Sequence, residues 1–400
     1  MNKVSHPKAT CRSSVERYAD ALVSLSRSIH AEPELAYREH RSAAKVADLA
    51  EREGFQVERG VAGLDTAFTA TFGSGDLVVG LCAEYDALPE VGHACGHNII
   101  AAASAGAALA LRDVADDLGV TVKLVGTPAE ESGGGKVQLL EHGVFDGVGL
   151  AMMVHPAPYE AVASPSLAIV DLEVEYTGRA SHAAAAPQLG VNAADALTIA
   201  QVAIGLARQH LEPKQMVHGI VTHGGAAPNI VPATAAGQFY LRAVDHESLQ
   251  RLVDRIEGCF TAGAVGTGCT HEVRQISAEY TELAPDPWLA SAYREAVTEL
   301  GRVPISHEDE LLRLTGSTDM GNVTRALPGI HPSIAIDCGD AVNHQPEFAA
   351  ACATPSGDRA VLDGALALAW TAVAAATDPT QRERLLAGVG HRVARAGGAA

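Results

Sequence analysis

Apolar residues recur at intervals of three and four over residues 15–50, with Leu22, Leu25 and Ile29 and then Ala43, Val46 and Leu49 on one stripe, which predicts a helical segment that Gly54 ends. The rhythm then changes. Short apolar runs at 77–82, 120–125, 150–154 and 333–336 read as strands, with an Ala-rich helix after Asn98 and a short helix over 137–142, stopped by Gly143, between them. Apolar strands alternating with helices predict a mostly parallel sheet covered on both faces. From residue 166 the pattern becomes two-residue alternation. Val170, Leu172 and Val174 share one face of a strand over 169–176, further strands follow at 217–222 and 238–243, and helices at 192–209 and 246–263 separate them. This predicts a small α+β unit inserted into a larger α/β one. Helical spacing returns at 287–300 and in an Ala-rich stretch through 375, and the Gly/Ala/Arg-rich end over 386–400 reads as a flexible tail.

The chain's 400 residues exceed one ordinary core, which agrees with two domains, 1–165 with 279–385 and 166–278. An apolar content of 47% with only 19% charged residues describes a well-buried globular protein. The formal charge of -19, without clustered Lys and Arg, excludes a nucleic-acid partner and disfavours anionic membranes. Residues 1–10 hold no apolar segment of signal-peptide length, and the Ala-rich stretch 99–111 is too short to span a bilayer, so a cytoplasmic protein is expected. Seven scattered cysteines without framework spacing fit the same reducing compartment.

Residues just past the ends of parallel strands converge in one crevice even when they are distant in sequence. Here Cys95-Gly96-His97, Glu130-Glu131, His155 and His344 each follow an apolar run. A thiolate and imidazoles are cation ligands. Neighbouring glutamates are what hydrolysis at a metal needs: one carboxylate binds the cation and the other takes a proton from water. Each feature alone has a plainer reading, as a loop cysteine, a solvated acidic pair or a structural histidine. Their joint placement points to a metal-dependent hydrolase. A binding protein would not need the spare glutamate, and a structural zinc or redox protein would need clustered cysteines.

The stretches Glu84-Tyr85-Asp86-Ala87-Leu88-Pro89, Gly92-His93-Ala94-Cys95-Gly96-His97-Asn98, Gly126-Thr127-Pro128-Ala129-Glu130-Glu131, Gly178-Arg179-Ala180-Ser181-His182-Ala183, Ala227-Pro228-Asn229-Ile230-Val231-Pro232 and Gly316-Ser317-Thr318-Asp319-Met320-Gly321-Asn322 together resemble the aminoacylase and carboxypeptidase family of metallopeptidases. The likeness is to its amidohydrolase branch, which includes hydrolases of β-alanyl dipeptides and of p-aminobenzoyl-glutamate. It implies a catalytic domain with an inserted dimerisation or lid domain, acting as a homodimer on a small molecule. It also implies one or two divalent cations, zinc with manganese or cobalt as alternatives, bound by Cys95, His97, Glu131, His155 and His344. Glu130 is then the general base, His182 the oxyanion donor from the other subunit, and Asn229, Arg242, Ser317 and Thr318 substrate-binding residues. The implied reaction is cleavage of an amide in a β-alanyl or basic dipeptide, or else in an N-acyl amino acid or aryl-glutamate. Where the family commonly carries His-x-Asp, this chain has Glu84-Tyr85-Asp86, so Asp86 becomes an orienting partner of a ligand and Glu84 has no assigned part.

Overall fold

The computed structural model describes residues 7–313 and 316–397. The chain folds as two units, Met1–Pro165 with Leu283–Ala400, and Ser166–Glu282.

In the first unit a six-stranded sheet runs in the order Gln56–Arg59, Phe68–Phe72, Val120–Gly126, Leu77–Ala83, Val148–Met152, Gly329–Ile330. The last four strands are mutually parallel, and the first two join antiparallel at one edge. The edge pair escapes the apolar pattern because Gln56–Arg59 is largely exposed and polar. The helix His97–Arg112 is buried along its length except at Arg112 and packs with Pro7–His30 and Pro355–Thr377. Gly106 permits this close layer: a Cβ there would stand 2.8 Å from both Ala365 Cβ and Leu22 Cδ1.

Several elements depart from the sequence reading. The segment 15–50 is two helices, Pro7–His30 and His40–Arg52, with Pro33 in the break between them. The expected fourth strand, Ser333–Ala335, lies outside the main sheet and pairs parallel with His155–Ala157. Pro355–Thr377, not 99–111, is the apolar stretch long enough to cross a membrane, but 78% of its most apolar window is buried in the fold. The helix Pro379–Gly397 runs on into the segment expected as a tail: just before that segment Leu385 is buried and Arg384 Nη1 pairs with Asp286 Oδ2 at 2.7 Å, and within it Arg392 Nη2 donates to Val148 O; residues 398–400 lie outside the described residues.

The second unit is a four-stranded antiparallel sheet in the order Thr270–Gln275, Ala168–Thr177, Thr234–Ala243, Met216–His223. The helices Ala193–Ala207 and His246–Thr267 pack on each other and on its two central strands. Asn192 and Asp245 cap them by accepting backbone amides with their side chains. Val170, Leu172, Val174 and Tyr176 supply the core face.

Candidate metal centre

The parallel strands Leu77–Ala83 and Val120–Gly126 pair to their last residues, Ala83 with Gly126, so the loops that follow leave the sheet side by side. Asp86 joins them, its Oδ2 accepting the Glu131 amide at 2.9 Å. Ala129, at φ 59°, donates its amide to Glu39 Oε1 at 2.9 Å, fixing the approach to Glu130-Glu131.

Cys95 precedes Gly96, which has φ 78° and begins the helix His97–Arg112. A Cβ at Gly96 would lie 2.3 Å from Pro156 Cγ, so only glycine admits this approach. His97 is thus the first helical residue. Asn98, after which the sequence places the helix, is inside its first turn and donates Nδ2 to Ser26 Oγ at 2.8 Å and Cys352 O at 3.3 Å. His97 Nδ1 faces Asp86 Oδ1 at 3.0 Å, and Nε2 is buried without a hydrogen-bond partner among the described residues. His155 opens the strand His155–Ala157 and places Nδ1 2.9 Å from Pro156 O. His344, at φ 73°, is held through its amide to Ala94 O at 2.9 Å, and its Nε2 stands 3.6 Å from Glu131 Oε2.

The donor atoms of Cys95, His97 and His155 all lie within 4.8 Å of one another, and so do those of Cys95, Glu131 and His344. The Cys95 sulfur belongs to both sets. Cation–donor bonds of about 2.0–2.3 Å put donors at such separations around one ion, so each set would fit a divalent cation, and the two sets share Cys95. The buried Glu131 Oε1, like His97 Nε2, has no hydrogen-bond partner among the described residues, as a ligand atom requires.

The local pKa values follow from packing anionic donors together. Burial, then Glu84 and Glu131, raises Glu130 well above the carboxylate range. Burial raises Glu131, and burial followed by the Glu131 charge raises the Cys95 thiol. Burial pushes His155 down to about 3, leaving a neutral imidazole, the form that ligates metals. Burial opposes charge on His97, but Asp86, Cys95 and Glu84 outweigh it and raise its pKa. Cations reverse this balance by favouring the deprotonated donors.

Four buried residues here, Lys136, Glu84, Asp319 and Glu39, have no part assigned from the sequence. Lys136 is wholly buried, its Nζ 2.5 Å from Glu84 Oε1 and 2.6 Å from Asp319 Oδ1. Glu39 accepts from Thr66 Oγ1 at 2.8 Å as well as from Ala129, and burial, then Asp86, pushes it up to about 7. A lysine after a glycine run reads as solvated; the run Gly133-Gly134-Gly135 beside an acidic pair was the available signal. Ser317 is half-buried, and buried Thr318 uses Oγ1 to accept the Met320 amide at 3.2 Å, at the start of the helix Met320–Ala326.

His182, Asn229 and Arg242 belong to the second unit. The exposed His182 bridges to Ile230, and the Ala183 amide donates to Asn229 O, so His182 and Asn229 lie on adjoining segments. His182 Nδ1 accepts the amides of Ala184 and Ala185 at 3.2 and 3.1 Å, which fixes the proton on Nε2. Arg242 is half-buried on Thr234–Ala243, its guanidinium 6.0 Å from the Tyr240 ring centre.

Residues 80–353 match the profile of peptidase family M20/M25/M40. The chain is 40% identical over 373 residues to the Xaa-Arg dipeptidase of Mus musculus, covering 90% of this chain and 86% of that one. It is 33% identical over 317 residues to one polypeptide of the p-aminobenzoyl-glutamate hydrolase of Escherichia coli K12, covering 74% of this chain and 65% of that one. Among solved structures, the YxeP protein of Bacillus subtilis, described as a dinuclear metal-binding peptidase of the M20 family, superposes with a TM-score of 0.67 at 21% identity, over 90% of this chain and 99% of that one.

Proposed function

The chain belongs to peptidase family M20/M25/M40 and is a dipeptidase-like amidohydrolase, and we propose that it holds one divalent cation on Cys95, His97 and His155 and a second on Cys95, Glu131 and His344, with Glu130 as general base. The observation that carries the reading is the sharing of the Cys95 sulfur by two donor sets beside a buried glutamate. Thiolate and imidazole donors favour zinc, with manganese or cobalt as alternatives.

When bound, the cations polarise a substrate carbonyl and lower the pKa of water towards neutrality. Glu130 takes the proton of the attacking water and delivers it to the leaving nitrogen. Asp86 keeps the His97 ring in one orientation and the Glu131 loop in register with it. His182, with its proton held on Nε2, is the donor for the developing oxyanion. Arg242 and Asn229 take the substrate carboxylate, for which a guanidinium supplies parallel donors. The Thr318 hydroxyl is engaged by Met320, which favours a capping role for it over substrate binding.

The substrate we assign is a small dipeptide with a basic residue, in keeping with the Xaa-Arg dipeptidase relatives. A homodimer through Ser166–Glu282 is supported by the sheet-edge strand Met216–His223, where Ile220 and Val221 are exposed at 64% and 48%. Seven free cysteines support a cytoplasmic location. The test is hydrolysis of a panel of Xaa-Arg, Xaa-Lys and β-alanyl-lysine dipeptides, N-acyl amino acids and p-aminobenzoyl-glutamate, before and after chelation. Basic dipeptides should be cleaved fastest, with activity lost to chelator and restored by zinc, manganese or cobalt. Full activity after exhaustive chelation defeats the metal assignment, and a preference for p-aminobenzoyl-glutamate replaces the substrate.

A further inference from the structure

We infer that Lys136 is a positioning residue of the hydrolytic centre, its ammonium gripped by the buried carboxylates of Glu84 and Asp319, which cluster with that of Glu130 in a set that would otherwise suit another cation. The inference rests on the assignment of Glu130 as general base.

The three acids come from separate parts of the first unit. Glu84 follows the strand Leu77–Ala83, Glu130 lies in the loop after Val120–Gly126, and Asp319 precedes the helix Met320–Ala326. One oxygen of each lies within 4.8 Å of the others, and the residues are exposed by only 0%, 7% and 0%. Three carboxylates brought so close out of water leave a place between them for a countercharge. Lys136, itself 0% exposed, supplies it at 2.5 Å from Glu84 and 2.6 Å from Asp319. Its amide also donates to Asp319 Oδ2 at 2.9 Å, so side chain and backbone grip the same acid. The other oxygen of Glu84 is buried without a hydrogen-bond partner among the described residues, 3.5 Å from His97 Nε2. Lys136 thereby ties the stretch that carries Glu130 and Glu131 to two further parts of the chain. A compact ammonium suits this cluster of acids better than a planar guanidinium.

The experiment compares metal-loaded wild type with Lys136→Met and with Lys136→Met/Asp319→Asn, which removes one charge of each sign. Readouts are metal ions per protein chain, kcat and KM on the dipeptide that wild type cleaves best. Lys136→Met should keep wild-type metal content and a KM within about threefold while kcat falls by about thirtyfold or more, within the range of a misplaced general base. The double variant should recover about tenfold of that loss, because the surplus negative charge is gone. If Lys136→Met does not fold, the double variant decides alone: folding with kcat within about tenfold of wild type supports the inference. The inference is overturned by a Lys136→Met enzyme of near wild-type kcat, by a double variant no better than the single one, or by a double variant that fails to fold, since packing would then be the whole role. Wild type that is indifferent to chelation defeats the metal assignment instead; a metal-dependent wild type that tolerates Lys136→Met defeats this inference alone.

Discussion

His97 Nδ1 stands 3.0 Å from Asp86 Oδ1, while Oδ2 of the same carboxylate accepts the Glu131 amide at 2.9 Å. One buried acid therefore orients a ring and a loop that leave the sheet from different strands. Asp86→Asn should weaken metal binding by about 10–100-fold, the usual effect of losing a ligand's orienting partner. Competition against a chelator of known affinity measures it, and unchanged affinity would remove Asp86 from that role.

Because the Cys95 sulfur is common to both donor sets, Cys95→Ala should deplete both cations, whereas His155→Ala and His344→Ala should each deplete one. Metal analysis after gel filtration reads the stoichiometry directly. Loss of a single ion from the cysteine variant would contradict a shared thiolate.

Glu130→Gln preserves the shape of the side chain and removes the base. Turnover should fall by about 10²–10⁴-fold with metal content unchanged. Retention of more than about a tenth of wild-type kcat would assign the base elsewhere.

His182→Ala should lower kcat by about a hundredfold, the loss expected for one oxyanion donor. Mixed with Glu130→Gln protein under conditions of subunit exchange, it should regain activity, because one site of the mixed dimer keeps both groups. Absence of complementation would place His182 within its own chain's chemistry.

Glu39 gives a pH prediction. Its folded pKa of about 7 lies above that of an unfolded glutamate, so its contribution to stability is complete below the unfolded value, about 4.3, and is lost as pH rises through about 7. In Glu39→Gln the amide oxygen can accept the Tyr37 and Ala129 amides while the amide nitrogen donates to Thr66 Oγ1, and nothing titrates. The stability of wild type relative to this variant should therefore decline between about pH 5 and 8, by on the order of 3 kcal/mol at most. Parallel melting curves for the two proteins would show no divergence if the carboxyl of Glu39 ionises normally.

The alternation of strand and helix is legible because Leu77–Ala83 and Val148–Met152 are buried almost throughout and carry near-continuous apolar runs, while Val120–Gly126 keeps Val120, Val122, Leu124 and Val125 buried around the half-buried Thr121 and Lys123. The edge strand Gln56–Arg59 was not, since an exposed strand needs no such run. Cys95, Glu130, Glu131 and His155 drew notice because each follows an apolar strand, and the structure brings their donor atoms together with those of His97 and His344. Lys136 has no such signal, and Asp319 stands in a resembling stretch with no part assigned, because nothing local separates a buried ion pair from two solvated charges. Their meaning arises only from a contact across 183 residues of chain. The segment 386–400 reads as a tail for a similar reason: composition gives no hint of the helix Pro379–Gly397 or of the Val148 partner of Arg392.

The first unit is assembled from Met1–Pro165 and Leu283–Ala400, with the second unit encoded between them. Chains emerge from the ribosome amino terminus first. Cys95, His97, Glu131 and His155 are thus synthesised well before His344, and the strand Gly329–Ile330 that completes the sheet also arrives late. On the ligand set proposed above, the donor group of Cys95, His97 and His155 is encoded before the insert, whereas that of Cys95, Glu131 and His344 is completed only after it.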